Sequence, residues 1–284
     1  MGSEPVQDLA VDGSMDRAVV FPGQGSVGSE ISGAALEAVR DYVGDDEIPY
    51  QLSVFASSVD LFYRLRDAGF EADVVAGHSL GEYAAAHAAG SIGLTDGVRL
   101  VAERDRLMNE ASKENPGGMV ALIGADPGAV AEVAEKSGGA VVAANFNTPR
   151  QTVVSGRLDA LEEVTEDLRG RKVRLRVAGA FHSPLMKDAA REMDTLLQAV
   201  EFDEPEIPMV GATDGALLTT ADGVGEALRN QMLSPVRWVA VVERLLELGV
   251  REIFEAGEDG TLTRMLRDFK RKDLAGRTAG EVLS

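Results

Sequence analysis

The stretch Ala72-Asp73-Val74-Val75-Ala76-Gly77-His78-Ser79-Leu80-Gly81-Glu82-Tyr83-Ala84-Ala85-Ala86-His87-Ala88-Ala89-Gly90 decides the fold. Its apolar opening, Ala72–Ala76, reads as a strand. Gly77–Gly81 is a tight turn, and Glu82–Ala89 reads as an alanine-rich helix stopped by Gly90. Strand, glycine turn and helix in that order point to an α/β protein, and G-x-S-x-G is the pattern of a nucleophile elbow. The flanking glycines remove Cβ atoms where the turn is too tight for them, leaving Ser79 held above a helix N-terminus. There the Leu80 N–H, helped by the helix dipole, can face an oxyanion. The plain alternative is a strand-to-helix turn without chemistry.

Upstream, Ala18–Phe21 reads as a second strand running into Pro22-Gly23-Gln24-Gly25-Ser26, and open parallel sheets place ligands at such strand ends. Downstream the pattern changes. Strands at Met119–Ala125, Val141–Asn145, Gln151–Val154 and Lys172–Val177 alternate with helices at Pro127–Ser137 and Leu158–Leu168. That βαββαβ order is ferredoxin-like. Larger elements resume with a helix near Ser183–Val200, a strand at Ile207–Gly211, a helix at Val236–Leu248 and a strand at Glu252–Glu255. The expected architecture is α/β: a large subdomain with a mostly parallel sheet flanked by helices (a hydrolase-like core), plus an inserted ferredoxin-like subdomain. The expected boundaries are 15–114 and 180–284 for the large subdomain and 115–179 for the small one. Residues 1–14 are polar and aperiodic and read as a disordered leader. They lack the basic start and apolar core of a signal peptide, so a cytoplasmic location is expected.

Composition narrows the chemistry. The 284 residues carry no Cys, three His and a formal charge of −19. Disulfides, thiolate metal sites and a cysteine nucleophile are excluded. Nucleic acid is not expected as the main partner, because phosphate binding calls for basic surface. No apolar run approaches the ~18 residues of a membrane span. A base for Ser79 must be one of His78, His87 and His182. His78 adjoins the serine, so its side chain leaves the backbone in another direction. His87 lies roughly 12 Å along the helix at ~1.5 Å per residue. Elimination leaves His182, in Gly179-Ala180-Phe181-His182-Ser183-Pro184, at the junction between the expected subdomains.

The helix Thr95–Ala111 carries an anomaly. Arg99, Glu103, Arg106 and Glu110 share a polar face, whereas Arg104 falls on the opposite stripe with Val101, Met108 and Ala111. A buried cation needs a partner. Arg104 reads either as a guanidinium held ready for a substrate carboxylate or as a snorkelling or internally paired arginine.

Taken together, these residues resemble the malonyl-CoA:acyl carrier protein transacylase family, including the discrete acyltransferases that serve polyketide synthases in trans. The resemblance runs from about Met15 to about Phe269. It rests on Phe21-Pro22-Gly23-Gln24-Gly25-Ser26, Gly77-His78-Ser79-Leu80-Gly81-Glu82-Tyr83, Arg104 in Arg-Asp-Arg-Leu-Met-Asn, Asn145-Phe146-Asn147-Thr148-Pro149, Ala180-Phe181-His182-Ser183, and Gln231 before Met-Leu-Ser-Pro-Val-Arg-Trp. It implies a Ser79–His182 dyad, the Gln231 backbone carbonyl as the group that orients the histidine, and the N–H groups of Gln24 and Leu80 as the oxyanion hole. It further implies that Arg104 holds the acyl carboxylate and that His78, Gln51, Asn147 and Phe181 lie around the substrate. Phe181 before the histidine and Leu80 after the serine go, in that family, with malonyl over methylmalonyl. The implied reaction carries malonyl from CoA through an acyl-serine to the phosphopantetheine thiol of an acyl carrier protein, by a monomer with no permanently bound cofactor. The chain departs from the family pattern at Val27, in a shortened stretch before the nucleophile, and at Glu258-Asp259, all around the mouth of the site.

Carrier proteins are typically acidic, so docking on a chain of −19 calls for local basic surface. Two runs offer it: Arg171, Lys172, Arg174 and Arg176, with Arg169 before them, and Arg264, Arg267, Lys270, Arg271 and Lys272. Each reads either as a steering patch or as a solvated charged face. Other readings include a non-malonyl acyl group or an acyl-carrier donor. A serine esterase or thioesterase of the α/β-hydrolase kind would require a late histidine after an Asp or Glu, and no histidine follows His182.

Overall fold

A computed structural model describes residues 15–26, 30–166 and 168–284. The expected leader, 1–14, and Val27 lie outside the described residues. In chain order the elements are β1 (Arg17–Phe21), α1 (Gly33–Val43), α2 (Tyr50–Asp67), β2 (Val74–Gly77), α3 (Gly81–Ala88), α4 (Leu94–Glu114), β3 (Gly118–Ile123), α5 (Pro127–Lys136), β4 (Val141–Thr148), β5 (Gln151–Gly156), α6 (Leu158–Glu166) and β6 (Arg171–Arg174). They continue with α7 (Lys187–Gln198), β7 (Met209–Val210), β8 (Leu217–Leu218), α8 (Ala221–Asn230), α9 (Trp238–Glu247), β9 (Glu252–Glu255), α10 (Thr261–Met265), β10 (Ala275–Thr278) and α11 (Ala279–Leu283).

Six strands form one sheet in the order β10-β9-β1-β2-β7-β8, parallel except for the β7–β8 pair. The central strands β1 and β2 are apolar along their length because helices cover both faces, as parallel sheets require. Ala18–Phe21 and Val74–Ala76 are fully buried. One face packs on α2, α3 and α4, and the other on α9 around Trp238 and Val242.

The second sheet is antiparallel, in the order β4-β5-β3-β6, with α5 and α6 against one face. Numbered within βαββαβ, that order is 2-3-1-4, the ferredoxin-like arrangement expected from the sequence. The last strand is shorter than its alternation suggested. Its ladder ends at Arg174, although Leu175 still donates to Met119 O at 2.9 Å. The helix expected from Ser183 opens with a 3-10 turn at Pro184–Met186 before α7 begins at Lys187. Leu185 N–H donates to Ser183 Oγ, which caps that turn and fixes the backbone leaving His182.

The two sheets meet at β4. Val236 donates to Ala144 O and Phe146 donates to Val236 O, both at 2.8 Å, so the segment before α9 runs as a partner along β4. Thr148 Oγ1 reaches Asp268 beyond α10 at 2.8 Å.

Candidate active site

The elbow after β2 is as tight as its glycines imply. A Cβ on Gly77 would lie 2.2 Å from Glu82 N, and one on Gly81 would lie 2.0 Å from Phe21 O. The turn after β1 is pressed against the elbow in turn, since a Cβ on Gly23 would lie 2.4 Å from His78 O. These contacts bring Gln24 beside Ser79. They also push Ser79 to φ +53°, a left-handed conformation that non-glycine residues adopt only when their surroundings impose it.

His182 sits at φ +56°. Its Nε2 is 2.8 Å from Ser79 Oγ, and its Nδ1 is 3.0 Å from both Gln231 O and Ser234 O. Backbone carbonyls only accept, so Nδ1 carries the hydrogen and Nε2 is left to accept from the serine hydroxyl. Burial, aided by the charge of Arg104, pushes the imidazole down to about 4. It is therefore a neutral imidazole at neutral pH, with its Nε2 lone pair on the Ser79 hydroxyl. The other two histidines are engaged elsewhere: His78 Nε2 with Asn147 Oδ1 at 2.9 Å, and His87 with Tyr63 Oη at 2.6 Å and Ile92 O at 2.9 Å.

Arg104 is buried, at 1% exposure, with its ring-facing side 5.8 Å from the centroid of Tyr83. Its Nη2 donates to Ser79 Oγ and to Gln231 Oε1, each at 3.2 Å, and its Nη1 donates to Gln51 Oε1. All three partners are neutral, and its Nε has none. The snorkelling reading is thereby set aside: the guanidinium ends in the core, next to the serine. Gln51 is held for this by α2, where its own N–H donates to Asp105 at 3.2 Å.

A cleft with about 690 Å³ of empty space opens from Ser79 and His182. The turn residues Gly23, Gln24 and Ser26 and the elbow's His78 form one wall. The small sheet supplies Asn145, Asn147 and Val153, with Asn147 hydrogen-bonded to His78, and Leu175, Val177 and Met265 complete the lining. Phe181 and Met108 add apolar surface beside the dyad. Leu80 is fully buried behind the elbow, at the residue before α3. Tyr50, at the start of α2, accepts from Gly25 N–H and donates to Ser26 O, each at 2.9 Å, and so fastens the turn that carries Gln24.

The basic runs flank this cleft. Lys172, Arg174 and Arg176 are exposed while Val173, Leu175 and Val177 turn inward, and Arg264 and Arg267 are exposed on the far side of α10 and after it. Arg264 is partly tied back, to Asp259 O and to Thr261 Oγ1 at 3.4 Å, and Arg271 pairs with Asp273 at 2.8 Å. Glu255 Oε2, accepting from Leu262 and Thr263 N–H at 3.0 and 2.8 Å, anchors α10 at the cleft.

Two residues of the site are easily passed over in the sequence. Tyr50 looks like an ordinary helix-opening residue. Glu82 looks like an acid at a helix N-terminus, yet it is fully buried behind Ser79. The clue was in α3 itself, whose run Ala84-Ala85-Ala86 leaves no polar face for Glu82 to join.

Among the described residues, no cluster of His, Cys, Asp or Glu is arranged to hold a metal ion, and no helix is long and apolar enough to cross a membrane.

The chain matches the acyl transferase domain family over residues 46–279. It is 31% identical to the malonyl CoA-acyl carrier protein transacylase of Bacillus subtilis (strain 168), over 90% of both chains. The fold is similar to the crystal structure of Synechocystis sp. PCC 6803 malonyl-CoA:ACP transacylase, with a TM-score of 0.85, 30% identity and coverage of 93% of this chain and 97% of that one. It is also similar to a malonyl-transacylase solved in complex with its type II polyketide synthase acyl-carrier protein, with a TM-score of 0.84, 28% identity and coverage of 93% and 95%.

Proposed function

The chain belongs to the acyl transferase domain family, and from that premise we infer that it moves a malonyl group from CoA to the phosphopantetheine thiol of an acyl carrier protein. The observation that supports this reading most is the convergence on one hydroxyl of a neutral imidazole and a buried guanidinium. His182 Nε2 is 2.8 Å from Ser79 Oγ, and Arg104 Nη2 is 3.2 Å from it.

In the proposed mechanism Ser79 Oγ attacks the thioester carbonyl as His182 Nε2 takes its proton. The oxyanion is held by the N–H groups of Gln24 and Leu80. Collapse expels CoA, which takes the proton from His182, and leaves malonyl-Ser79. The carrier's thiol then gives its proton to His182 and attacks the ester. Collapse returns the proton to Ser79 Oγ and releases malonyl-carrier, so the cycle is ping-pong. The carbonyls of Gln231 and Ser234 do the work that an acid does in a triad: they fix the imidazole tautomer. Arg104, braced by Gln51, pairs with the malonyl carboxylate. The ring of Phe181 crowds an α-methyl branch, favouring malonyl over methylmalonyl. The Asn147–His78 pair forms the polar wall along which the acyl chain enters.

We further propose that the enzyme works as a cytoplasmic monomer, that phosphopantetheine comes only with the carrier, and that the carrier docks on the two basic runs. Residues 15–114 with 180–284, and 115–179, serve as the two subdomains of the catalytic cleft.

Incubation with malonyl-CoA followed by intact-mass measurement tests the reading. The expected result is one malonyl adduct that is absent in Ser79→Ala and is discharged by a holo carrier protein. An adduct that survives Ser79→Ala would refute the assignment.

A further inference from the structure

Glu82 has no part in the reaction as described, yet it is fully buried one turn from the nucleophile. Both of its carboxylate oxygens accept from neutral N–H groups: Oε1 from Ala212 N at 2.8 Å and Oε2 from Gln231 Nε2 at 2.7 Å. A buried carboxylate with only neutral partners lacks a counter-charge at contact distance. Arg104 is the mirror case, a buried guanidinium whose three acceptors are all neutral.

The side-chain amide of Gln231 joins them. Its Oε1 takes the Arg104 Nη2 bond at 3.2 Å, and its Nε2 donates to Glu82 and, at 3.1 Å, to Ser79 O. The amide thus points its negative end at the cation and its positive end at the anion. Its backbone carbonyl meanwhile orients His182, so one residue couples the charge pair to the dyad.

We propose that Glu82 is the counter-ion of Arg104, reached through the Gln231 amide, and that loading a carboxyacyl group onto Ser79 draws a proton from solvent onto Glu82. The proposal rests on the reading that Arg104 receives the acyl carboxylate. A malonyl group brings a further negative charge to a guanidinium whose charge Glu82 and Asp105 already offset. Two carboxylates sharing one buried cation cannot both remain ionised without cost, so one of them is pushed towards its acid form. An acetyl group brings no such charge. The esterification itself is proton-neutral, because the Ser79 proton leaves on the CoA thiol.

The surroundings suit Glu82 to this role. Burial raises it to about 7, with the charge of Asp214 adding to the rise and Arg104 and the two N–H donors opposing it. Tyr83, on the same helix, is a neutral phenol held up to about 12, chiefly by burial. His182 and His78 are both pushed down by burial, which favours their neutral forms. Asp105, next to Arg104 on α4, adds its own negative charge to the guanidinium and accepts from Gln51 N–H at 3.2 Å.

The test compares single-turnover acylation of the wild-type protein by malonyl-CoA and acetyl-CoA, in weak buffer with a pH indicator at pH 7 and by intact mass from pH 6 to 8. The expected result is extra proton uptake per malonyl adduct relative to acetyl, and a malonyl-to-acetyl rate ratio that falls from pH 6 to pH 8 by at most about tenfold, the limit for one linked proton on a group near 7. In Glu82→Gln both differences vanish. Equal proton balances for the two acyl groups in the wild type would overturn the proposal without recourse to the variant. So would a Glu82→Gln protein that keeps the wild-type slope. A wild-type protein that forms no malonyl adduct at any pH would instead overturn the carboxyacyl reading on which the proposal stands.

Discussion

Ser79 and His182 both adopt φ near +55°, at +53° and +56°. Each such placement of a non-glycine residue costs about 1–3 kcal/mol. The fold supplies it from the steric closure around Gly77 and Gly81 at one residue and from the capped turn after His182 at the other. The imidazole gains a fixed tautomer, and its low proton affinity sets a clear pH signature. A general base works in its neutral form, and His182 protonates only as pH falls through about 4. Acylation of Ser79 by the uncharged ester p-nitrophenyl acetate, followed by stopped flow, should therefore stay level from pH 8 to about 5, with no loss near the usual histidine value of about 6.5. The residue-level chemistry was unevenly legible in the sequence. Ser79 announced itself through contiguous glycines, His182 through scarcity, and Arg104 through its helical phase. Gln231 was reached only through resemblance, since its partners lie on three other segments.

At the level of elements, apolar periodicity marked α4, α7 and α9 but not α1, α2 and α8. α4 was legible because one side meets water. α2 was not, because twelve of its eighteen residues are buried and leave no polar stripe. Yet α2 positions both Gln51 and Tyr50, so a helix that is silent in the pattern braces both the guanidinium and the Gln24 turn. β10 is an exposed edge strand without an apolar run and gave no signal. β6 is the converse, an edge strand whose alternation was plain. Its inward residues Leu175 and Val177, just beyond the ladder, line the cleft while Arg174 and Arg176 face out. Charge reversal of Arg174, Arg176, Arg264 and Arg267 together should slow transfer from malonyl-enzyme to a holo carrier by about tenfold at low ionic strength, with the gap narrowing as salt rises. Transfer rates measured across a salt series check this, and an unchanged rate would remove both runs from the docking surface.

Across the whole molecule, the site exists only where two sheets of different character meet. The parallel sheet supplies the elbow and the turn with Gln24. The antiparallel sheet supplies Asn145, Asn147 and Val153 to the same cleft. The strand-like pairing of Val236 with β4 fixes their spacing, five residues from Gln231. That seam encloses a cation in a molecule of net charge −19, and the enclosure gives Arg104 its value. A carboxylate entering a dry site gains far more from a guanidinium than it would in water. The central claim is that this buried charge selects a carboxyacyl group for Ser79. The most direct measurement is the rate of acyl-enzyme formation from malonyl-CoA and from acetyl-CoA in the wild type and in Arg104→Ala. Loss of a buried charge-assisted pair worth about 3 kcal/mol predicts a fall of roughly 100-fold for malonyl with a change of about threefold or less for acetyl. A parallel loss for both acyl groups would contradict the account.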